Sequence, residues 1–458
     1  MKIDFSDISK VNGKVINPAV IERKVFKNIS IDSRTCKKGD IFFAIKGDKF
    51  DGHDFIGQVI KKGAGLVIAD NKWYSANKKN YKNKNSFLIV NDTTGALGEL
   101  AGVYRDKFVL PVIAIAGSNG KTTVKDVTAH VLSKKYNVLK TEGNLNNAIG
   151  VPLTLFRLND EHQIAVIETG TNHFGEVAGL CRIVKPQFGL ITNIGKEHLE
   201  FLSNINGAAK AEFELVDYLK KNYGTFFVNM DDVQIAKRTD IKKIKSFTFG
   251  QAENNDVKGK IKKFTGFSPE IEISYNRKKI NALLKITGVQ SFKAALCASA
   301  TGLYFDVSFA DVKKALEEFT SASAKRNEMI CKDGITVIDD TYNSNPDSVK
   351  MALENLKHYK VRGRKHIVLG DMLELGKTSK REHENAGELV KKMGFESLYT
   401  YGEESYNTFK KARGVQSNFY FGDKYTLIEF LKLNLRKGDM VLVKGSRSMK
   451  MEEVVQEI

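Results

Sequence analysis

The chain has 458 residues, of which 42% are hydrophobic and 28% are charged, with 6 prolines and 37 glycines that follow no period. This composition excludes a collagen-like, fibrous or disordered protein. At roughly 100–200 residues per domain, the length predicts two to four domains, and we expect three.

A formal net charge of +18 results from 72 Lys and Arg residues against 54 Asp and Glu residues. Such an excess of positive charge is typical of proteins with an anionic partner. The lysines are spread along the whole chain, and their densest cluster, within residues 72–84, has no apolar helical face beside it. We therefore expect a solvated lysine-rich surface and no nucleic-acid interface.

Two features of the sequence bear on the location of the protein. No apolar run approaches the ~20 residues that a membrane span requires, and Asp4 and Asp7 stand where a signal peptide would be apolar. The four cysteines are widely spaced and form no CxxC motif, which indicates reduced thiols rather than disulfides or a zinc site. We predict a cytoplasmic protein with no membrane span.

Residues 1–108 are predicted to form a small N-terminal α/β domain. Short apolar runs at 41–45, 66–69 and 87–90 are separated by turns that contain glycine. This spacing is typical of short strands in a domain of that class. Residues 71–85 show no periodicity and are predicted to form an exposed loop within the domain.

Residues 109–320 are predicted to form a central domain that is built on a parallel sheet. Near-continuous apolar runs, each followed by a helical pattern, occur at 111–117, 164–170, 188–195 and 225–231. Strands that are apolar on both faces and alternate with helices specify a parallel sheet covered on both sides. The alternating pattern of residues 245–285 predicts antiparallel β structure appended to this domain.

Residues 321–458 are predicted to form a separate C-terminal domain of Rossmann-like architecture. A second series of apolar runs occurs at 334–340, 366–372, 397–402 and 440–446. These runs again alternate with helical patterns, which predicts another doubly wound sheet. The fold class is therefore α/β with three domains.

A glycine-rich loop at residues 117–123 lies between an apolar strand and a helical pattern. Such a P-loop directs backbone N–H groups and a helix N-terminus at phosphate oxygens, while Lys121 would add a point charge and the Thr122 hydroxyl would ligate Mg²⁺. The full Walker spacing requires a glycine where Ile115 stands, so this is a shortened variant. The alternative is an ordinary strand-to-helix turn. The predicted phosphate-binding residues are Gly117, Ser118, Asn119, Gly120, Lys121, Thr122 and Thr123.

Two further residues follow predicted strands of the central domain. Glu168 lies at the C-terminal end of the predicted strand at 164–170, and His198 lies just after the strand at 188–195. Ligand-binding groups of parallel-sheet folds lie at these strand ends, and a carboxylate and an imidazole beside a triphosphate suit Mg²⁺ coordination. The alternatives are a neighbour of a helix N-cap for Glu168 and a helix-surface residue for His198.

Several segments resemble the Mur ligases, and the resemblance extends over essentially the whole chain. The segments are 117–123, 141–156, 168–176, 191–200, 339–348, 370–376 and 441–452. The resemblance implies an ATP-dependent, amide-forming ligase that joins D-alanyl-D-alanine to UDP-N-acetylmuramoyl-tripeptide in cell-wall precursor synthesis. The alternatives are a Mur-type ligase that adds a different amino acid and a P-loop regulatory ATPase.

The resemblance also implies a role for each domain. The N-terminal domain would bind the UDP-sugar, the central domain ATP with Mg²⁺ at two sites, and the C-terminal domain the amine substrate and part of the nucleotide. The tripeptide carboxylate would attack the γ-phosphate of ATP, and the dipeptide amine would attack the acyl phosphate through a tetrahedral intermediate. We expect a monomeric enzyme.

Individual residues receive roles from the same resemblance. Catalytic roles fall to Lys121, Glu168, His198 and Lys210, and metal binding to Thr122, Glu168, His198 and, if it is carbamylated, Lys210. ATP binding falls to the P-loop residues, Arg326 and Asp340, and substrate binding to Ser33, Arg34, Asn146, Asn147, Asn343 and Asn345.

By their chemistry alone, several of these residues have structural alternatives. The pair Asn146 and Asn147 is equally typical of an Asn-rich turn that caps a helix. Residues 343–346 are typical of an Asn/Pro turn. Lys210 reads as a helix-surface residue that pairs with Glu214 at i,i+4.

One segment departs from the pattern of the Mur ligases. Where they usually have His-Asn-x-x-Asn, this chain has Gln290, Ser291 and Ala294 at the three polar positions. The adenine contacts that those residues make in the family are therefore not carried over to this chain.

Overall fold

The computed structural model describes residues 1–47, 49–81, 85–238, 243–320 and 328–458. Three separate sheets organise the chain, which confirms the predicted three-domain α/β fold. The limits 1–108, 109–320 and 321–458 remain our proposal for the domain boundaries. Within the described residues, no helix has both the length and the apolar character needed to cross a membrane.

The first sheet has five strands in the order β1-β5-β4-β3-β2, and β1 is antiparallel to β5 while the other neighbours are parallel. Its strands are β1 (Lys14–Ile16), β2 (Ile29–Ser30), β3 (Ile41–Phe43), β4 (Leu66–Asp70) and β5 (Phe87–Val90). The helices of this part of the chain are α1 (Phe5–Ile8), α2 (Ile56–Lys61), α3 (Asn71–Asn77) and α4 (Thr93–Arg105).

Helix α3 corrects the prediction of an exposed loop at residues 71–85. Asp70 caps the helix by accepting a hydrogen bond from the Trp73 N–H at 2.7 Å. Trp73 and Tyr74 pack against the buried face of the first sheet. An Asp cap and two aromatic residues that pack against the sheet are therefore sufficient to fix a short helix here. The helix is too short for a helical period to be visible in the sequence. Residues 82–84 of the segment lie outside the described residues.

The second sheet has nine strands in the order β14-β13-β12-β11-β10-β9-β6-β8-β7. The strands are β6 (Val112–Ala116), β7 (Val138–Lys140), β8 (Ile164–Glu168), β9 (Phe188–Ile191), β10 (Thr225–Asn229), β11 (Lys245–Gly250), β12 (Val257–Thr265), β13 (Ser268–Tyr275) and β14 (Lys278–Leu283). The helices are α5 (Lys121–Leu132), α6 (Gly150–Leu155), α7 (Glu176–Val184), α8 (Leu199–Leu202), α9 (Ile205–Lys221), α10 (Val233–Ala236), α11 (Gly288–Tyr304) and α12 (Phe309–Glu318).

The strands predicted to be parallel are parallel, and β12, β13 and β14 form the expected antiparallel extension. Strand β11 corrects this part of the prediction, because it runs parallel to both of its neighbours. Alternating polar and apolar residues reveal a half-covered strand but not its direction.

Strand β6 lies between β9 and β8 in the second sheet and is buried along its whole length. Ile113 and Ile115 face the core shared with α5 and α11, whereas Ala114 and Ala116 face the core shared with α7 and α9. The strands that follow β6 in the chain lie on both sides of it, so its carboxyl end opens at a switch point of the sheet. Ligands of open α/β sheets bind in such crevices.

The third sheet has six strands in the order β15-β16-β20-β17-β18-β19, with only β15 antiparallel to its neighbour. The strands are β15 (Glu328–Lys332), β16 (Ile335–Asp340), β17 (Lys365–Gly370), β18 (Ser397–Tyr401), β19 (Ser417–Phe421) and β20 (Met440–Lys444). The helices are α13 (Pro346–His358), α14 (Ser379–Lys392), α15 (Ser405–Lys411), α16 (Lys424–Asn434) and α17 (Glu452–Glu457). The four predicted strands are present, and the two outer strands are additional.

Phe227→Ala should strongly destabilise the central domain. The Phe227 ring is fully buried and packs against those of Phe188 and Tyr304, at centroid distances of 6.2 and 5.2 Å. Truncating a buried Phe leaves a cavity, so we expect a loss of roughly 3–5 kcal/mol in the free energy of unfolding measured with urea. Tyr425→Ala, at a side chain that is 74% exposed, should change it by less than about 0.5 kcal/mol. Equal effects of the two substitutions would contradict the prediction.

Candidate active site

The P-loop leaves the carboxyl end of β6 and enters α5 through two glycines with positive φ. Gly117 has a φ of 118° and Gly120 a φ of 78°. A Cβ on Gly117 would lie 2.3 Å from Thr192 Oγ1, so no other residue fits there. Within the part of the chain that the structure describes, no side chain caps the N-terminus of α5. The exposed N–H groups of this helix terminus are therefore available to an anion.

The side chain of Lys121 folds back over the loop. Its Nζ donates a hydrogen bond to the Gly117 carbonyl oxygen and lies 3.6 Å from Glu197 Oε2. The lysine that sequence analysis assigned to phosphate thus lies against the P-loop. A bound phosphate would compete for it with the Gly117 carbonyl oxygen and Glu197.

A buried carboxylate below the loop was not anticipated from the sequence. Glu212, on α9, is fully buried and accepts a hydrogen bond from the Gly117 N–H at 2.7 Å. Burial raises the pKa of Glu212, the neighbouring Glu197 adds to this increase, and Lys121 opposes it. No local pattern could have identified Glu212, because the sequence around it reads as an ordinary amphipathic helix.

Glu168 lies at the end of β8 and is 1% exposed. Its Oε1 accepts hydrogen bonds from Thr122 Oγ1 at 3.2 Å and from Asn146 Nδ2 at 2.8 Å. Its Oε2 is buried and accepts no hydrogen bond from the described residues, although Lys125 Nζ lies 3.7 Å away. A buried anionic oxygen without a hydrogen bond, beside a hydroxyl group, fits a divalent cation. Thr122 and Glu168 therefore form a donor set that could hold a divalent cation.

Lys125 is a second functional candidate that sequence analysis missed. It is fully buried one turn after Lys121, and its Nζ donates a hydrogen bond to the Gly143 carbonyl oxygen at 2.9 Å. Burial lowers the pKa of Lys125, and Asp126 and Glu168 partly offset this decrease. The i,i+4 spacing from Lys121 was the available signal, since it places both lysines on one face of α5.

His198 occupies a left-handed backbone conformation, with a φ of 47°, immediately before α8. Its Nδ1 lies 2.6 Å from Glu374 Oε2, a residue of the third sheet's domain that also has a positive φ, of 61°. Hydrogen bonding to His198 is the largest cause of the lowered pKa of Glu374. The imidazole predicted to bind metal thus faces a carboxylate from another domain. Positive φ at such residues is uncommon and concentrates at functional sites.

Two cavities meet at this site. The first, of about 1050 Å³, lies between the second and third sheets, and its wall includes the P-loop residues 118–123. The second, of about 970 Å³, lies between the N-terminal and central parts of the chain and is lined by residues of α4 and α7. Lys121, Asn146 and His198 line both cavities. Reactants bound in the two cavities would therefore meet beside Lys121 and His198.

The predicted asparagines are distributed between the two cavities. Asn146 and Asn147 line the second cavity, and Asn147 Oδ1 also accepts a hydrogen bond at 2.9 Å from the N–H of Gly150, the first residue of α6. Asn343 and Asn345 line the first cavity. The structural alternatives that the sequence left open are therefore also present. Asn147 binds the first residue of α6, and Asn345 caps α13. Capping a helix and lining a cavity do not exclude each other.

Of the four other predicted site residues, one lines a cavity, two line neither cavity and one lies outside the described residues. Asp340 lines the first cavity and is paired at 2.7 Å with the buried Lys444, which the sequence did not reveal. Ser33 and Arg34 line neither cavity, and Arg34 pairs with Asp32. Arg326 lies outside the described residues.

Lys210 does not line either cavity. It is exposed on α9, and its Nζ lies 5.4 Å from the centre of the Phe174 ring. The alternative partner, Glu214, accepts hydrogen bonds from the N–H groups of Gly175 and Ala178 at 2.6 and 2.9 Å. Carbamylation of Lys210 stays a prediction. Among the described residues, no cluster of three or more His, Cys, Asp or Glu forms a ready metal site.

Comparison with protein families assigns all three parts of the chain. Residues 25–105 match the Mur ligase family catalytic domain, residues 115–302 the Mur ligase middle domain, and residues 325–447 the Mur ligase glutamate ligase domain. The chain belongs to the Mur ligase family.

Curated relatives and solved structures of this family match over nearly the whole chain. The UDP-N-acetylmuramoyl-tripeptide–D-alanyl-D-alanine ligase of Bacillus subtilis is 32% identical, over 98% of this chain and 96% of its own. The Escherichia coli enzyme of the same name is 34% identical, over 93% and 92%. MurF from Acinetobacter baumannii superposes with a TM-score of 0.89 at 29% identity, over 100% and 98%. MurF ligase from Thermotoga maritima, in complex with ADP, gives 0.80 at 27% identity, over 94% and 96%.

In this Mur ligase, the C-terminal domain contacts the P-loop directly. Asn345 Nδ2 donates a hydrogen bond to Asn119 Oδ1 at 2.9 Å. Lys196 binds Glu382 through its Nζ at 2.8 Å and donates its backbone N–H to Asp347. Together with the pair of His198 and Glu374, these contacts hold the segment between β9 and α8 against the C-terminal domain. The geometry of the first cavity therefore depends on how the two domains dock.

Replacing Lys196 and Glu374 together by Ala should loosen this docking. The ion pair of Lys196 with Glu382 and the contact of His198 with Glu374 would be lost across the domain boundary, each contributing up to about 1 kcal/mol. We expect small-angle scattering of the unliganded protein to show a larger radius of gyration. Lys432→Ala is the control, because Lys432 pairs with Glu429 and Glu457 inside the C-terminal domain. An unchanged radius in the double variant would show that other contacts fix the domains.

Proposed function

We propose that this Mur ligase joins D-alanyl-D-alanine to UDP-N-acetylmuramoyl-tripeptide and converts ATP to ADP and phosphate. The observation that carries the proposal is the convergence of two large cavities on Lys121 and His198. Relatives named for this reaction match over more than nine tenths of the chain. The proposed product is the UDP-muramoyl-pentapeptide used in peptidoglycan synthesis.

We assign ATP to the first cavity. Residues 117–123 would bind its phosphates through Lys121 and the N–H groups of the first turn of α5, as in other P-loops. The N–H groups of Gly117, Ser118 and Asn119 already donate to Glu212 and Asn193, so these residues would shape the loop around the phosphates. Asp340, at the end of β16 on the same cavity wall, would contact the ribose, and Arg326 is the further candidate for the phosphates. The ADP in the Thermotoga maritima structure supports the assignment of a nucleotide to this fold.

We assign the muramoyl substrate to the second cavity. Asn146 and Asn147 lie on its wall where it meets Lys121. Ser33 and Arg34, further out in the N-terminal domain, remain our candidates for the UDP phosphates. Asn343 and Asn345, on the first cavity, remain our candidates for the dipeptide.

The proposed reaction has two steps. A carboxylate oxygen of the tripeptide attacks the γ-phosphorus, the bond to the bridging oxygen breaks, and ADP leaves. The dipeptide amine then attacks the acyl carbon, forms a tetrahedral intermediate, loses a proton and expels phosphate. In the first step two anions must approach each other, and Lys121 at the cavity junction offsets their repulsion.

Magnesium belongs to this proposal through the donor set at Glu168. Thr122 and Glu168 would hold the ion, and when bound it would neutralise charge on the β- and γ-phosphates. We further propose a second ion near His198, with Lys210 as an additional ligand if it is carbamylated. The C-terminal Glu374 already lies beside His198, so an anionic oxygen is present there in any case.

We also propose that the protein works in the cytoplasm as a monomer and has no nucleic-acid partner. The substrates ATP and a UDP-sugar support the first assignment. The dispersed lysines support the absence of a nucleic-acid stripe.

Phosphate release should require ATP, the tripeptide precursor and D-alanyl-D-alanine together. Lys121→Ala should abolish this release without unfolding the protein. A cation beside the transferred phosphate lowers the activation barrier by several kcal/mol, and each ~1.4 kcal/mol corresponds to a tenfold change in rate. Lys72→Ala, on the exposed surface of α3, is the control. Release with another amino acid only would indicate a different Mur-type ligase, and release without any acceptor would indicate a regulatory ATPase.

Lys210→Ala should be nearly inactive, and small carboxylic acids such as acetate should partly restore its activity. Carbamylation would convert an ammonium into an anionic oxygen ligand, which Mg²⁺ prefers. Lys220→Ala on the same helix should keep full turnover. If Lys210→Ala also turns over normally, Lys210 is a surface residue only.

A further inference from the structure

The wall of the first cavity at the start of α11 lacks the polar groups that Mur ligases usually have there. The Ser291 hydroxyl donates a hydrogen bond to the Gly288 carbonyl oxygen at 2.6 Å. Gln290 Nε2 donates to Met351 Sδ, and Ala294 has no polar side-chain atom. The Ser291 hydroxyl hydrogen and one of the two N–H groups of the Gln290 amide are therefore engaged within the protein.

Asn355 places a different amide at the same point. It lies on α13 of the C-terminal domain, is only 6% exposed, and lines the first cavity. Its Oδ1 accepts a hydrogen bond from the Val289 N–H at 3.0 Å. Because an N–H group can only donate, this contact fixes the orientation of the amide and makes the other atom Nδ2. Nδ2 donates to no acceptor among the described residues.

The backbone is shaped to admit this amide. Gly288 has a φ of 79°, and a Cβ on it would lie 2.8 Å from Asn355 Nδ2. The amide of Asn355 thus packs directly over a glycine that begins α11. The amide therefore has its oxygen fixed by the protein, while its nitrogen lies at the wall of the first cavity, where a ligand can accept a hydrogen bond from it.

The position of Asn355 along α13 matches the base end of a nucleotide. Asn345, at the start of α13, contacts Asn119 of the P-loop. Asn355 follows ten residues later, about 15 Å further along the helix axis at 1.5 Å per residue. If the terminal phosphates of a nucleotide lie in the P-loop, its ribose and base would lie along this stretch of the cavity wall.

We propose that Asn355 is a specificity-determining residue whose Nδ2 donates a hydrogen bond to a ring nitrogen of adenine. The inference rests on the assignment of ATP to the first cavity. A fixed donor favours a purine ring nitrogen with a free lone pair, and adenine has such atoms at N1, N3 and N7. In this chain the C-terminal domain therefore reads the base that other members read from the central domain.

The test compares binding of ADP with that of its 1-deaza, 3-deaza and 7-deaza analogues by calorimetry. The full-length protein should bind one analogue about two- to tenfold more weakly than ADP, the range expected for one hydrogen bond. Asn355→Asp keeps an acceptor for the Val289 N–H but loses the donor, so that difference should disappear. Asn434→Asp, at an exposed residue of α16, should retain it.

Several outcomes would overturn the inference. If Asn355→Asp weakens ADP and all three analogues by the same factor, Asn355 only positions the two domains. If no analogue binds more weakly than ADP to the natural protein, no ring nitrogen accepts a bond from this residue. Because the measurement uses nucleotide binding alone, it does not depend on ligation. Failure of ligation with intact discrimination by Asn355 would instead contradict the proposed reaction.

Discussion

The close approach of Gly117 to its surroundings is the constraint on which the active site depends. Its N–H donates to the buried Glu212, and the space beside its Cα is filled by Thr192. Strand β6 ends at this point between β8 and β9, so the ends of the three strands contribute to one site. The P-loop, Glu168 and the segment after β9 are held together because β6 is buried on both faces.

The cations of this site are already paired with carboxylates. Lys121 lies 3.6 Å from Glu197, Lys125 lies 3.7 Å from Glu168, and Lys444 lies 2.7 Å from Asp340. Buried charges are tolerated only when such partners are present, since desolvation otherwise disfavours them strongly. A nucleotide and its metal would enter an electrostatically balanced site and replace some of these carboxylates as partners of the lysines. The net charge of +18 resides mostly on the outer surface.

The C-terminal domain takes part in the site through side chains that approach from across the first cavity. Asn345 contacts the P-loop, Glu374 contacts His198, and Asn355 contacts the first turn of α11. These contacts bring the two domains together around the first cavity, and exclusion of water there would protect the acyl phosphate of the proposed reaction. The same arrangement explains how one chain can change the source of its base-recognising groups without changing the fold.

The sequence by itself determined the features that local patterns encode. Apolar runs defined most of the inner strands of the second and third sheets. Residues 117–123 identified the phosphate site, because a strand, a tight glycine turn and a helix are contiguous in the chain. Short-range patterns were insufficient at α3, where two aromatic residues fix a helix that has no visible period, and at β11, whose direction is set by its neighbours.

Only the tertiary structure decided which distant residues complete the site. Gly117 and Glu212 are 95 residues apart, Asn119 and Asn345 are 226 apart, and Val289 and Asn355 are 66 apart. Sequence resemblance supplied roles for Glu168 and His198, but it assigned no partner to His198 and did not anticipate Glu212, Lys125 or Lys444. Each of these contacts depends on how separate helices and domains pack, and packing joins residues whose separation along the chain leaves no periodic or spacing signal.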